Sequence, residues 1–291
     1  MDKLYWSRTR RKMFTQCPRK WYLTYGNLDQ NKKKNSHRLR ESPWNLMLRA
    51  MKTTLLDRLE DVRDGKQWSS QLVHYQLDQA IVQNFERRNQ PLDATLRKSL
   101  NLYAQHRFTC LWRCSTVQQL LNHTYKQWYV FDRTDAEHIE GITAYCAPDL
   151  AIRIQNKWLL VRFDMQGERK TGSSELEANA MVLWSRQRQG LPDSSQKYVL
   201  RTIGWRRGFW EVHTYKPNLS SVMASLQLLL HDAKAMLELQ RRSMKNLVFA
   251  PLANDQRACG NCSFAAKCPG SNNLKEARVQ QRLLELAHSR H

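Results

Sequence analysis

Three cysteines near the end of the chain have the spacing of metal ligands, since Cys259, Cys262 and Cys268 form a C-x2-C-x5-C run. Thiolates about one turn apart can converge on a single metal centre. Three ligands leave such a site one ligand short, and Cys17 near the start of the chain is the natural fourth. The sequence therefore predicts a metal clasp that joins the two ends of the fold. Spacing alone favours zinc, although all-cysteine ligation also suits an iron–sulfur cluster.

The other cysteines lack this pattern. We expect Cys110, Cys114 and Cys146 to be ordinary buried thiols. Seven cysteines is an odd number, and the spacing is typical of metal ligands rather than of disulfides, so the sequence favours a reducing cytoplasm. No apolar stretch approaches the length of a membrane span, and we expect no membrane partner.

The charge balance indicates a polyanionic partner. The formal net charge is +21, from 47 Lys and Arg against 26 Asp and Glu, which favours nucleic acid first and an anionic membrane surface second. Phosphate contacts would give affinity without sequence choice, and arginine beside tryptophan can stack on unpaired bases. The candidate nucleic-acid-binding residues are Arg8, Arg10, Arg11, Lys12, Lys32, Lys33, Lys34, Arg201, Arg206 and Arg207.

The positions of apolar residues predict the elements that must hold these side chains. Ser7 is a predicted N-cap for a first helix that runs toward Tyr22, and helical periodicity covers residues 43 to about 115. Strands are predicted at 128–131, 139–145, 150–154, 158–163, 198–205 and 209–215. Further helices are predicted at about 175–189, 220–242 and 274–287. This order indicates an α/β fold with a helical insertion.

Three segments carry a resemblance to a known family. They are Ser7 followed by Cys17-Pro-Arg-Lys-Trp-Tyr22, then Ala147-Pro-Asp-Leu-Ala151, and the closing cysteines. With these segments the chain resembles the RecB-like branch of the PD-(D/E)XK nuclease superfamily. Within that branch it is similar to the iron–sulfur members, such as the AddB helicase–nuclease subunit and the CRISPR-adaptation nucleases.

The resemblance implies an architecture and a cofactor. It implies one nuclease-fold domain over 1–291, with a mixed sheet flanked by helices, a helical insertion at 43–118, and a cysteine-rich segment with a basic helix at 255–291. It also implies that Cys17, Cys259, Cys262 and Cys268 hold a [4Fe–4S] cluster rather than zinc. The cluster would then fasten the N- and C-terminal segments together.

The nuclease motif itself is altered. The family binds Mg²⁺ with an aspartate and then with D/E-x-K on the next strand. Asp149 fits the first position, but the next strand has Val161-Arg-Phe-Asp-Met-Gln-Gly167. In one alignment Arg162 stands at the carboxylate position and Asp164 at the lysine position. In a second alignment, shifted by two residues, Asp164 stands at the carboxylate position and Gln166 at the lysine position. Neither alignment restores D/E-x-K.

Two further family signals are missing. The early helix at 44–56 contains no histidine that could reach a metal, and residues 180–184 replace the expected Q-x-x-x-Y. We expect an arginine beside Asp149 to form an ion pair that excludes Mg²⁺. The altered motif therefore predicts an inactive nuclease site.

The leading hypothesis is a DNA-binding, catalytically inactive subunit of a larger DNA repair, recombination or antiviral defence complex. It would bind single-stranded DNA or duplex ends beside a helicase or nuclease partner. One alternative is an active Mg²⁺-dependent DNA exonuclease that uses Asp149 and Asp164, with Glu175 and Glu177 in a rearranged site. A second alternative is an adaptor that binds RNA or an acidic protein.

Overall fold

The computed structural model describes residues 4–26, 41–167, 172–260 and 262–288. Its helices are α1 (Arg8–Gln16), α2 (Pro18–Trp21), α3 (Pro43–Arg63), α4 (Ser70–Glu86), α5 (Ala94–Leu111), α6 (Ser115–Leu121), α7 (Gly172–Gln187), α8 (Leu219–Lys245) and α9 (Leu274–His288). Its strands are β1 (Leu4–Ser7), β2 (Trp128–Val130), β3 (Glu137–Ile139), β4 (Ile142–Tyr145), β5 (Leu150–Ile154), β6 (Lys157–Asp164), β7 (Tyr198–Arg206) and β8 (Phe209–Tyr215). Within this described part of the chain, no helix is both long enough and apolar enough to cross a bilayer.

The chain divides into two compact units. The first consists of segments 1–39, 136–145 and 226–291, and the second of segments 40–135 and 146–225. The expectation of one nuclease-type domain over 1–291, with its subdivisions at 43–118 and 255–291, stays a prediction. Lys32, Lys33 and Lys34, which the sequence analysis proposed as nucleic-acid contacts, lie outside the described residues.

The first unit begins with a strand that the sequence analysis did not predict. Strand β1 pairs in parallel with β4, and β4 pairs antiparallel with β3, which gives the order β1-β4-β3. The single strand predicted at 139–145 is a hairpin instead. Its turn lies at Glu140 and Gly141, which have φ angles of +46° and +81°. Left-handed residues are incompatible with a continuous strand, so the chain reverses there.

The predicted first helix is shorter than expected. The Oγ atom of Ser7 accepts a hydrogen bond from the Arg10 N–H at 3.2 Å, as predicted for an N-cap. Helix α1 nevertheless ends at Gln16, and Cys17 is extended with φ of −157°. The residue before a proline is sterically excluded from the helical region, so Pro18 forces this break and starts α2. The break makes Cys17 the cap between two helices.

The second unit is built on a mixed sheet with the order β2-β5-β6-β7-β8. Strands β6 and β7 are parallel, and the other neighbouring pairs are antiparallel. Apolar side chains from helices α3 to α6 pack with those of β5, β6 and β7 in one continuous core. The predicted α/β class is therefore confirmed at the level of mixed sheets flanked by helices.

Helix α3 supplies a long apolar stripe to this core, and one charged residue lies within the stripe. Leu48, Leu55 and Leu59 are almost completely buried. Lys52 lies between them at helical spacing and is also buried, with 5% of its surface exposed. A lysine in this position requires a buried partner, because an unpaired ammonium group is strongly destabilising in an apolar environment.

A close approach behind β6 gives the first testable prediction. Gly167 has φ of +64°, and a Cβ atom there would overlap the carbonyl oxygen of Trp205 in β7. We expect Gly167→Ala to lower the free energy of unfolding by about 3 kcal/mol, since backbone strain and overlap add. The control is Gly190→Ala, because Gly190 has φ of +87° but open space around it. In Gly190→Ala only backbone strain remains, so we expect this variant to lower the free energy of unfolding by about 1 kcal/mol. Equal losses in urea unfolding would contradict the overlap.

Candidate functional site

Asp149 lies in the bend just before β5 and is 1% exposed. Its Oδ2 atom accepts a hydrogen bond from the backbone N–H of Phe163 at 2.7 Å. Its own backbone N–H donates to the carbonyl oxygen of Val161 at 2.9 Å. Strand β6 therefore fixes both the backbone and the side chain of this aspartate.

The buried partner of Asp149 is Lys52. The Nζ atom of Lys52 forms an ion pair and a short hydrogen bond with the Asp149 carboxylate. The same Nζ atom donates to the carbonyl oxygen of Phe163 at 3.2 Å. Both charged side chains are almost fully buried, since 6% of the Lys52 side-chain surface and 2% of the Asp149 side-chain surface are exposed. The Lys52 ammonium group thus pairs with the Asp149 carboxylate, which the nuclease motif predicted from the sequence would use to bind a metal ion.

Two arginines add positive charge around this pair. The Nε atom of Arg133 lies 3.7 Å from Oδ1 of Asp149, and the Arg133 side chain is largely exposed. Arg162 is in β6, and its positive charge acts on both Asp149 and Lys52. The Nη1 atom of Arg162 is 3.7 Å from Oε2 of Glu177. Three cations and two carboxylates therefore form one charged cluster among the described residues, and we call it the Asp149 cluster.

The electrostatics of the cluster keep Asp149 ionised. Burial raises the pKa of Asp149, but the positive charges of Lys52, Arg133 and Arg162 outweigh burial and hold that pKa below its usual range. Burial lowers the pKa of Lys52, and the nearby arginines lower it further, while Asp149 opposes both. The pair is consequently a salt bridge whose lysine depends on the aspartate for its charge.

An arginine does form an ion pair with Asp149, as expected, but that arginine is Arg133. Arg162 of the altered motif affects the pKa of Asp149 and forms an ion pair with Glu177, and the closest partner of Asp149 is Lys52. The sequence did not predict Lys52 as a partner, because the resemblance implies a histidine in this helix. The position of Lys52 on the apolar stripe of α3 was a usable signal, since buried lysines are almost always paired.

The other proposed acids lie in different surroundings. Asp164 ends β6, and its Oδ1 atom accepts a hydrogen bond from the backbone N–H of Gln166 at 3.2 Å. Glu175 in α7 accepts a hydrogen bond from the Tyr215 hydroxyl at 2.8 Å. Cys146 is a buried thiol, and burial raises its pKa to about 12. The role of Asp164 as a catalytic acid stays a prediction.

The four predicted ligand cysteines lie together in the first unit. Cys17 is buried in a cluster against which Cys259 and Cys268 pack. Burial raises the pKa of Cys17, and the charges of Cys262 and Cys268 raise it further. Burial likewise raises the pKa of Cys259, followed by the charges of the other three cysteines. The sulfur atoms therefore influence one another across the two ends of the chain.

The donor set of the four cysteines fits a metal centre in its chemistry. All seven cysteines of the chain are free thiols, so these four are available as soft sulfur ligands. Within residues 4–26, 41–167, 172–260 and 262–288, no three His, Cys, Asp or Glu side chains are arranged to hold a metal ion. The assignment of the four cysteines as ligands therefore stays a prediction.

A buried arginine, Arg19, lies near the cysteines and hydrogen-bonds the N-terminal segment to residues 247–251. It is 7% exposed, and its Nε atom donates to the carbonyl oxygen of Ala250 at 2.9 Å. Its Nη2 atom donates to the carbonyl oxygen of Leu247 at 3.1 Å, and its backbone N–H donates to that of Pro251 at 2.9 Å. Burial lowers the pKa of Arg19, while Cys268 and Cys17 raise it. A buried cation thus lies beside the thiols.

The proposed nucleic-acid residues are distributed over both units. Arg11 forms an ion pair with Asp232 at 2.6 Å, and Arg10 lies over the Tyr5 and Tyr25 rings. Arg8 and Lys12 belong to the same helix α1. In the second unit, Arg201 donates to Thr116 at 2.9 Å, Arg206 pairs with Glu211 at 3.3 Å, and Arg207 is exposed in the β7–β8 turn. Their role in binding phosphate stays a prediction.

Comparisons with known proteins add little to this picture. No family model and no curated protein matches the chain. A solved structure described as "Crystal structure of SSO0001" matches 78% of this chain and 95% of its own chain, with 13% identity and a TM-score of 0.32. The functional argument therefore depends on the residues of this chain.

The buried ion pair gives a prediction with a defined pH dependence. Asp149→Asn keeps an acceptor for the Phe163 N–H but leaves Lys52 buried without its counter-charge. We expect a loss of about 3–5 kcal/mol in the free energy of unfolding at neutral pH. Without Asp149 the folded-state pKa of Lys52 falls further below its unfolded value of about 10.4. Between these two values the unfolded chain binds more protons, so stability must rise with pH.

In the wild type the pKa of Lys52 is lowered to about 7, so the test interval lies below that value. The measurement is urea unfolding at about pH 5 and pH 7, compared with wild type. Over this interval Lys52 stays protonated in folded wild type but loses its proton in folded Asp149→Asn, so the variant should gain stability more steeply, by up to about 1.4 kcal/mol per pH unit. Asp93→Asn is the control, because Asp93 is an exposed N-cap and asparagine also caps helices well. A pH-independent loss below about 1 kcal/mol would contradict the buried pair.

Proposed function

We propose that this protein is a DNA-binding, RecB-like nuclease-type subunit that does not itself cleave DNA. It would act in the cytoplasm beside a helicase or nuclease in DNA repair, recombination or antiviral defence. The observation that carries the absence of cleavage is the buried ion pair of Lys52 with Asp149. A metal ion would have to displace a paired ammonium group from that carboxylate.

The charges around Asp149 support the same proposal. Mg²⁺ binding requires several oxygen ligands, usually with more than one carboxylate at the site. In the Asp149 cluster the second carboxylate, Glu177, faces Arg162, and Arg133 approaches Asp149 from the exposed side. The described cations of the cluster outnumber its carboxylates, which favours an anion such as phosphate over a divalent cation.

The net charge supports DNA as the partner. A formal charge of +21 attracts a polyanion, and neutralising several phosphates releases counterions. Such binding has affinity without sequence preference. It would let the protein hold DNA for a partner enzyme that supplies the catalysis.

We propose further that the four cysteines hold a [4Fe–4S] cluster. Cys17 would come from the N-terminal segment of the first unit, and Cys259, Cys262 and Cys268 from its C-terminal segment. The cluster would fasten these segments and leave DNA contacts to the protein surface. The packing of Cys17 with Cys259 and Cys268 supports this assignment, and zinc at the same ligands is the competing outcome.

The function is tested with labelled single-stranded and duplex DNA in Mg²⁺ or Mn²⁺. We expect binding without degradation, and a loss of affinity of about 10³-fold or more between about 50 mM and 200 mM salt if six or more phosphates are contacted. Metal-dependent degradation that disappears in Asp149→Asn would overturn the inactive-site proposal. Affinity that does not change with salt would overturn the electrostatic part.

The cluster is tested by Cys17→Ser with Cys110→Ser as the matched control. Cys110 is a free, half-buried thiol in α5 outside the ligand set. We expect the purified wild type to contain iron and acid-labile sulfide, and Cys17→Ser to lose most of both and to unfold at lower temperature. Cys110→Ser should retain both. One equivalent of zinc in the wild type would replace the iron–sulfur assignment, and full metal content in Cys17→Ser would remove Cys17 from the ligand set.

A further inference from the structure

Arg107 of helix α5 lies between two tryptophan rings, next to the end of strand β6 in the second unit. The guanidinium carbon of Arg107 is 4.7 Å from the Trp44 ring centroid and 4.8 Å from the Trp205 ring centroid. Its Nη1 atom donates to the carbonyl oxygen of Met165 at 3.0 Å. Cation–π contacts on both sides and a backbone hydrogen bond fix this side chain in place.

Further rings surround the two tryptophans. Tyr103 packs edge-on against Trp44 at 5.8 Å, and Trp210 packs edge-on against Trp205 at 5.5 Å. The Nε1 atom of Trp210 donates to the backbone carbonyl oxygen of Arg107 at 2.9 Å. We call the set of Trp44, Tyr103, Arg107, Trp205 and Trp210 the aromatic cluster. Its ring positions are set by mutual contacts and do not require a ligand.

Two members of the aromatic cluster are exposed to solvent. Tyr103 is 58% exposed and Trp44 is 36% exposed. Adjacent exposed rings contribute to an apolar surface patch, and larger patches of this kind occur at binding sites. Each of these two rings therefore keeps solvent-exposed surface that a ligand could cover.

The charges next to the aromatic cluster favour an anionic ligand with flat apolar rings. Arg107 is inside the cluster, and Trp205 is followed by Arg206 and Arg207. Arg207 is exposed at the β7–β8 turn, and Arg206 is paired with Glu211. Nucleobases on a phosphate backbone combine flat rings with negative charge, and a purely apolar partner would gain nothing from these arginines.

The aromatic cluster is also close to the Asp149 cluster along the same elements. Gln166, just after β6, donates through Nε2 to Oδ1 of Asn45 at 3.1 Å. Trp44 precedes Asn45 in α3, and Lys52 follows Trp44 by eight residues, or about 12 Å of helix. The aromatic cluster and the Asp149 cluster therefore share helix α3, although Lys52 and Asp149 are themselves buried.

We propose that the aromatic cluster stacks unpaired bases of single-stranded DNA, with Trp44 and Tyr103 as the stacking surfaces. The inference rests on the DNA binding proposed above and adds a site and a binding mode. Duplex DNA is excluded from this mode because its bases are already stacked on one another. Trp44 and Tyr103 lie in helices α3 and α5, within the helical insertion predicted at 43–118.

The test compares three ligands of equal length at fixed salt: single-stranded oligothymidine, duplex DNA, and an abasic oligonucleotide that keeps the phosphates. Tyr103→Ala and Trp44→Ala should each weaken binding of oligothymidine by about five-fold to 100-fold. Binding of the duplex and of the abasic strand should be unchanged. The salt dependence for oligothymidine should also stay the same, because stacking releases no counterions.

Two variants control this test. Tyr103→Phe keeps the ring and should bind oligothymidine like wild type. Tyr75→Ala removes a tyrosine of equal exposure, 59%, from helix α4 and should have no effect. Urea unfolding of each variant shows whether it is folded.

The outcomes separate this inference from the function on which it rests. If wild type binds the oligothymidine and the abasic strand equally, and Tyr103→Ala has no effect, the stacking site is wrong while DNA binding stands. If wild type binds none of the three ligands, the proposed DNA-binding function is wrong as well.

Discussion

The buried ion pair between Lys52 and Asp149 determines both the packing and the chemistry of the second unit. Lys52 also donates to the Phe163 carbonyl oxygen, and the Phe163 N–H donates to Asp149. These three groups join helix α3, the bend before β5, and strand β6 at one point. Removing the Asp149 carboxylate leaves the Lys52 ammonium group buried without a counter-charge, which is far more costly than the net value of the pair. Helix α3 is therefore held on the sheet by the same interaction that neutralises the acid.

This coupling is the basis of the proposal that Asp149 does not hold a metal ion. A metal ion would need the carboxylate oxygens that Lys52 contacts, and Lys52 is buried in the apolar stripe of α3. Arg133 and Arg162 add positive charge that acts on Asp149. The stability of the core and the positive character of this region thus have one physical origin. This positive character supports the proposal of a polyanionic partner.

Much of the fold could be predicted from apolar periodicity, while the pairing of charges could not. The hairpin of β5 and β6 and the strand Phe209–Tyr215 were predicted nearly to the residue, because alternation and turn residues mark them. Strand β1 was missed because four residues carry too short a pattern. The pairing of Lys52 with Asp149 was missed because it joins residues 97 positions apart. A sequence shows that a buried lysine needs a partner, but only the fold shows which acid it reaches.

The cysteine region differs from the Asp149 region in how its charges are balanced. Arg19, next to Pro18 in the same segment as Cys17, hydrogen-bonds to the carbonyl oxygens of Leu247 and Ala250. The side chain of Gln281 from α9 also donates to the Ala250 carbonyl oxygen, at 3.0 Å. The two ends of the chain are therefore held together by hydrogen bonds before any metal is considered. Ligand thiolates would add negative charge beside the buried Arg19, so that cation would stabilise a charged sulfur cluster and the cluster would relieve the cost of burying the cation.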